Sequence, residues 1–356
     1  MFSVAKDSLD DLMHEVFARL LDARRNFRVE ASKGKNTEVF GALLELKNPR
    51  ARLSRSQARS MAFSALGEFL WYVSGSRQVS FVEHYLPGYR AFSNDGVTAN
   101  GAYGPRLFGE NAGSRRAGTS EWNRVIRTLE HGPGSRNAVI QLFSNSDATQ
   151  GNKDKPCTCT LQFAIRNDLL FLHTHMRSND VIKGLPHDVF SFTMLQEMAA
   201  HQLGIGIGSY YHSVASLHLY DDTDVDKPRK KAKDFVREGL HDYVPMPEMP
   251  QGNPWPALDK LLEAEADIRM GQHVDYTELG LSPYWTDFAI MLRVHSAFRT
   301  FDALSAENPK RIGTLREISG MMNDLSSDVY RLYIRDRLSK KHKPINDLFS
   351  AAGMKV

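Results

Sequence analysis

The chain is short of cysteine, of net charge and of long apolar runs, and each shortage narrows what it can be. Cys157 and Cys159 are the only cysteines in 356 residues. Two thiols one residue apart neither staple a chain of this length nor supply four zinc ligands, which excludes a disulfide scaffold and a structural zinc site and implies a reducing compartment. No window approaches the roughly eighteen apolar residues of a membrane span. The opening MFSVAKDSLDDLMHEVF carries acids where a secretory or transit leader would not. A soluble, cytoplasmic protein is expected. The formal net charge of +3 does not argue for a nucleic-acid partner, although a local cluster of cations would suit an anionic substrate. What is present is the balance of a globular protein, 42% hydrophobic and 24% charged.

Apolar residues at Leu9, Leu12, Met13, Val16, Phe17, Leu20 and Leu21 predict an amphipathic helix over 8–25. A Gly- and Lys-containing loop, 32–36, and a strand, Val39–Leu46, follow. Residues 56–75 read as an apolar helix ending at Gly75, and Tyr89–Gly118, rich in Gly, Asn and Ser, as irregular loops. Strand-like runs at Ala138–Phe143, Cys159–Ile165 and Leu169–Thr174, the last two joined by an Asn167-Asp168 turn, suggest a meander. Residues 189–203 predict a centrally buried helix. The basic run Lys227–Lys233 and the proline-rich Pro245–Pro256 read as a surface excursion, and 284–339 returns to helix. The expected fold class is α+β: one domain over 1–356, with a core at about 8–225 and a basic, Pro-rich excursion and helical extension over 226–356.

The most informative windows are Lys155–Phe163 (KPCTCTLQF), His175–Asp188 (HMRSNDVIKGLPHD) and Leu217–Tyr220 (LHLY). Their order of Pro-Cys, Gln-Phe, Arg-Ser-x-Asp, Gly-Leu-Pro and His-x-Tyr resembles the nucleotide-binding core of the thymidylate synthase superfamily. Glu68 in GEFLW, Tyr103 in AYG and Ser135-Arg136 agree with it. The resemblance covers roughly 36–225. It implies a mixed sheet packed with helices, one sheet face forming a homodimer interface, and a pyrimidine nucleoside monophosphate and 5,10-methylenetetrahydrofolate as substrates, with no metal.

A thiolate can add to C6 of a pyrimidine and make C5 nucleophilic, and cysteine suits that reversible step best. A free thiol has a pKa of about 8.5, so a neutral-pH thiolate needs positive charge nearby. By resemblance the nucleophile is Cys157, with Arg177 near it and near the phosphate. The alternative is a strand cysteine without chemistry, which describes Cys159 better. The resemblance assigns phosphate binding to Arg177 and Ser178 of one protomer and to Arg136 of the other. Asn137 stands where relatives carry a second arginine, and the N-terminal phosphate loop offers Lys33 and Lys35 in place of arginine. His218 and Tyr220 match residues that hold the sugar, and strand alternation puts both on one face. Tyr103 matches a proton-relay tyrosine and Asp180 a carboxylate beside the pterin of the folate. Burial of Glu68 in its apolar helix would raise its pKa and suit it to relay protons. Each of these has a plainer alternative as a satisfied polar residue of the core.

Asp188 lies 31 residues after Cys157, where uracil-using relatives carry asparagine. A carboxamide accepts from N3–H and donates to O4, whereas an ionised carboxylate cannot donate; it accepts from the cytosine amino group and pairs with a protonated N3. Cytosine is thereby favoured, since an unpaired buried polar group costs about 1–3 kcal/mol. The alternative role for Asp188 is a helix N-cap, and the two are compatible. Tyr89 and Phe92 stand at the folate mouth where relatives carry tryptophan, Thr158 replaces the histidine after the nucleophile, and the chain ends AAGMKV in place of an apolar closing tail. Reduction of the transferred carbon needs water excluded, so these departures favour hydroxymethylation. The expected activity is cytidylate 5-hydroxymethylation of CMP or dCMP. Alternatives are thymidylate synthesis on dUMP, cytidylate methylation, or a non-catalytic nucleotide- or RNA-binding homologue, for which Lys227–Lys233 is the one supporting feature.

Overall fold

A computed structural model describes residues 2–56, 61–110, 118–149, 151–239, 243–305 and 307–341. The chain forms two compact units, Met1–Asn253 and Pro254–Val356.

The first unit is built on a mixed seven-stranded sheet. Its strands are β1 (Phe2–Lys6), β2 (Phe27–Ala31), β3 (Gly34–Leu46), β4 (Val139–Gln141), β5 (Thr158–Arg166), β6 (Leu169–Asp180) and β7 (Gly206–Tyr220). They lie in the order β1-β3-β7-β6-β5-β4, with β2 also paired to β3. β4, β5 and β6 are successive antiparallel neighbours, the expected meander. The turn between β5 and β6 holds Asn167 and Asp168 at φ 52° and 59°, the left-handed region that Asn and Asp tolerate and a tight hairpin requires. β6 runs parallel to β7, and β7 antiparallel to β3.

The helices of this unit are α1 (Leu9–Leu21), α2 (Ala62–Ser74), α3 (Val79–Tyr85), α4 (Tyr103–Phe108), α5 (Glu121–His131), α6 (Gly184–Gln202) and α7 (Pro228–Glu238). α1 starts where the Ser8 side chain accepts from the Asp11 amide, and it buries the stripe that its periodicity predicts. α2 ends at Gly75, whose φ of 72° glycine adopts freely. α6 is buried from Leu185 to His201, which its lack of a polar face requires. Its Gln196 amide donates to the Leu170 and Gly208 carbonyls at 2.8 and 2.9 Å, joining the helix to β6 and β7. Along β6, Leu170, Leu172, Thr174 and Met176 are buried while His173 and His175 are exposed, a period-two alternation.

Several expectations change. The loop at 32–36 is a two-residue hairpin turn, because β3 begins at Gly34 and pairs with β2, a five-residue strand that is largely exposed. The helix predicted over 56–75 starts at Ala62; residues 57–60 lie outside the described residues. Tyr89–Gly118 contains a helical turn at Tyr89–Phe92 and the short helix α4, with 111–117 outside the described residues. The basic run is not a surface excursion: it opens α7, which buries Ala232 and Phe235, the latter edge-on to Phe17 at 5.0 Å. The proline-rich segment likewise packs, with Met246 and Met249 buried and their amides donating to Arg50 O and Glu197 Oε1.

The second unit holds α8 (Trp255–Arg269), α9 (Pro283–Ala303), α10 (Lys310–Asp324) and α11 (Asp328–Lys341). Asp287 of α9 accepts from Ser326 and Ser327 just ahead of α11. The terminal AAGMKV lies outside the described residues.

Candidate active site

Cys157 sits immediately before β5, and the β6 residue Arg177 wraps it. The Arg177 amide donates to Cys157 O at 2.9 Å. Its side chain donates through Nε to Pro156 O (2.9 Å) and through Nη2 to Lys155 O (3.1 Å), and Nη2 lies 3.8 Å from Cys157 Sγ. Nη1 makes no hydrogen bond among the described residues. Burial pushes the Cys157 thiol up, helped by Asp188 and Asp154 and opposed by Arg177 and Lys33. Burial prevails, so the thiolate is not preformed. The positive charge expected beside the thiol is present but outweighed.

Asp188 lies inside the first turns of α6, whose N-cap is Lys183, so the capping role does not apply. It is 6% exposed. Its Oδ2 accepts from Asn179 Nδ2 at 2.7 Å. Burial and the Glu68 charge hold its carboxyl well above the usual range, against the lowering influence of Asn179. Ionisation, expected of this carboxyl from the sequence, is thus disfavoured by its surroundings. Glu68 on α2 behaves as predicted: burial pushes it up to about 7, while Tyr72, one helical turn on, donates to its Oε1 at 2.8 Å.

Tyr103, at the start of α4, accepts from both the amide and the hydroxyl of Thr158, at 3.1 and 3.0 Å. Those bonds leave the tyrosine proton free to point elsewhere. Thr158 thus gives the residue after Cys157 a definite task. Cys159 lies where the β5–β6 register shifts, between Thr158 and Thr160, so simple alternation does not govern it.

The site's rim is assembled from distant segments. Lys33, in the hairpin turn, places Nζ 4.3 Å from the centre of the Phe92 ring, and its charge acts on Cys157. Lys35 lies 3.8 Å from Glu30 instead. Tyr89 packs on Trp71 and Phe92 at 5.4 and 5.7 Å, and Phe92 is 41% exposed, an open aromatic surface. The charge of Asp180, at the end of β6, acts on Asp188 and Tyr220. His218 and Tyr220 share a face of β7, their rings 4.8 Å apart. Ser178 is half-buried on β6 beside Arg177. Arg136 is exposed, and its side chain makes no ion pair or hydrogen bond among the described residues.

Sequence reasoning missed four contributors: Asn179, His212, Tyr72 and Asp154. Tyr72 was legible as the i+4 neighbour of Glu68. Asp154, which accepts from the Gly101 amide at 2.8 Å, and the Asn179–His212 pair are long-range contacts without a sequence pattern. A separate cavity of about 540 Å³, bordered by Arg77, Arg106 and Asp147, does not reach Cys157, and Asp147 already pairs with its Arg106. No helix among the described residues is long and apolar enough to cross a membrane.

The family model for thymidylate synthase matches residues 12–237. Among curated proteins, the deoxyuridylate hydroxymethyltransferase of Bacillus phage SP01 is 32% identical over 203 residues, covering 54% of this chain and 53% of that protein. The deoxyuridylate hydroxymethyltransferase of Delftia phage PhiW-14 is 28% identical over 205 residues, covering 54% and 55%. The chain spans about half the length of the curated relatives it matches.

Proposed function

This chain belongs to the thymidylate synthase family, and from that premise we propose that it transfers a one-carbon unit to C5 of a cytidine monophosphate, CMP or dCMP, with water capture giving the 5-hydroxymethyl nucleotide. The co-substrate 5,10-methylenetetrahydrofolate supplies the carbon and leaves as tetrahydrofolate. The open aromatic surface of Tyr89 and Phe92, with Asp180 near the base reader, fits a flat ring bearing acidic N–H groups.

The observation that carries the base assignment is the burial of Asp188, which favours its neutral form. Cytosine presents N3 as an acceptor, and a neutral carboxyl donates to it. Once the Cys157 thiol has lost its proton to solvent, the thiolate adds to C6, electron density moves onto the ring, and transfer of the Asp188 proton to N3 neutralises it. The raised carboxyl thus serves as a general acid, a better-founded role than the ionised acceptor. Glu68, near 7, exchanges protons around C4 and C5, with Tyr103 as a second relay.

Arg177 Nη1, Ser178, Lys33 and, at the edge, Lys35 form the phosphate site; His218 and Tyr220 hold the sugar. Arg136, exposed and without an ion pair among the described residues, reaches the phosphate of a second copy in a homodimer. The sheet face away from α6 supports that assembly. It presents exposed His173 and His175 and the stacked pair Phe171–Tyr211 at 6.5 Å.

The relatives' names favour a second reading, the same chemistry on deoxyuridylate. A neutral carboxyl free to place its proton on either oxygen could donate to O4 and accept from N3–H. Incubation of the full chain with CMP, dCMP or dUMP and methylenetetrahydrofolate separates the two. The proposal expects a cytidylate product heavier by CH2O together with tetrahydrofolate. Product from dUMP alone supports the second reading; dihydrofolate with a CH2 increment means methylation.

A further inference from the structure

Behind Asp188 lies a buried polar chain that the reaction as described does not use. Asn179 is 3% exposed. Its Nδ2 donates to Asp188 Oδ2 at 2.7 Å, and its Oδ1 lies 3.0 Å from His212 Nε2. His212 Nδ1 in turn lies 2.7 Å from the Tyr210 hydroxyl. Burial drives the His212 pKa down to about 3, so the ring is neutral, with one donor and one acceptor nitrogen. The Asn179 carbonyl needs a donor, so Nε2 carries the ring proton and Nδ1 accepts from Tyr210. Every partner in the chain then has a fixed direction, ending on Asp188 Oδ2 as an acceptor. Asp188 Oδ1 makes no hydrogen bond among the described residues.

We infer that Asn179 is a positioning and specificity-determining residue: by donating to Oδ2 it confines the Asp188 proton to Oδ1, so that the carboxyl meets the base as a donor. Cytosine N3 accepts from that donor, whereas uracil presents N3–H and sets donor against donor. The inference rests on Asp188 facing the base edge. It removes the freedom that would let a neutral carboxyl read uracil as well. Glycine at 184 gives the amide its place, since a Cβ there would stand 2.6 Å from Asn179 Nδ2.

The charged and titratable groups that act on Asp188 or feel its charge are Glu68 and Tyr72 of α2, Tyr103 of α4, Cys157, Asp180 of β6 and Tyr210 of β7. Glu68 and Asp180 both favour the proton, and Asn179 is the group that opposes it.

The test compares kcat/KM for CMP, dCMP and dUMP in the wild type, Asn179→Leu and Asn179→Asp. Leu keeps the volume and removes both hydrogen bonds. The cytidylate-to-deoxyuridylate ratio should fall about tenfold, and the alkaline limb of cytidylate turnover should move to higher pH because the donor favouring ionisation is gone. Asp reverses the polarity: it draws the shared proton onto Asp188 Oδ2, leaves Oδ1 an acceptor, and should shift preference to dUMP. A purely structural role lowers all substrates alike and leaves the limb in place; that result overturns the inference. So does a wild-type preference for dUMP, which would mean the amide is turned the other way. If no nucleotide is turned over, the proposed function fails. Dissociation constants of CMP and dUMP for the three proteins then decide the Asn179 claim, with a shifted ratio supporting it and an unchanged ratio refuting it.

Discussion

Replacing Glu68 by glutamine should stabilise the protein in alkaline solution while removing its activity, and the size of the effect follows from the site. Glu68 titrates near 7 in the folded chain against 4.5 when unperturbed, because α2 buries it and the Tyr72 hydrogen bond recovers only part of its lost hydration. Its folded pKa is raised, so the folded state binds the proton more tightly than the unfolded chain does. The associated stability is complete below pH 4.5 and is lost as pH rises through 7. At about 1.4 kcal/mol per pH unit, the loss amounts to about 3 kcal/mol by pH 8. The glutamine side chain is neutral at every pH and keeps the shape, so Glu68→Gln should match the wild type near pH 5 and exceed it by up to about 3 kcal/mol at pH 8. Urea denaturation at a series of pH values measures this, read as a midpoint that diverges at constant slope. A difference that does not change between pH 5 and 8 would refute the burial argument and with it the assignment of Glu68 as a proton relay poised near neutrality. Such a group is less stable than the fold could make it, as relays at working pH are.

Cys157→Ser should abolish turnover while Cys159→Ser preserves it, measured as product formed per enzyme. Because burial outweighs Arg177 at the thiol, alkylation of Cys157 by iodoacetamide should be slow at pH 7 and climb through pH 9, and a fast plateau at pH 7 would contradict this. Glu197 forms a fully buried ion pair with Arg52 and also accepts from the Met249 amide, so Glu197→Ala should cost about 3–5 kcal/mol of unfolding free energy. Phe235→Ala should cost about 3–5 kcal/mol if α7 is part of the folded core, read by the same denaturation, and a cost below about 1 kcal/mol would return the basic run to the surface.

The long, strongly periodic elements were legible: α1 from its stripe, α2 from its apolar run and Gly75, and α6 from its lack of a polar face. The hairpin of β2 and β3 was not, because FRVEA alternates apolar and polar residues over only five positions and buries neither face. α7 was mistaken for solvent-borne chain because five basic residues hide Ala232 and Phe235 at helical spacing. In the site, Cys157, Glu68, Tyr103 and Asp188 were reached through motif order. The ionisation of Asp188 was not, because it depends on burial and on Glu68 from another helix. Asn179 filled the variable position of its motif, and only the fold brings it to His212, 33 residues away.

Selection of cytosine rests on Asp188, whose burial favours the neutral carboxyl. The most direct measurement is the ratio of kcat/KM for CMP or dCMP to that for dUMP in the wild type and in Asp188→Asn. The account predicts a ratio above about 10 for the wild type, as one mismatched buried hydrogen bond implies, and a ratio below one for the variant, whose carboxamide complements N3–H and O4. A wild type that prefers dUMP, or a variant that keeps the cytosine preference, would contradict it.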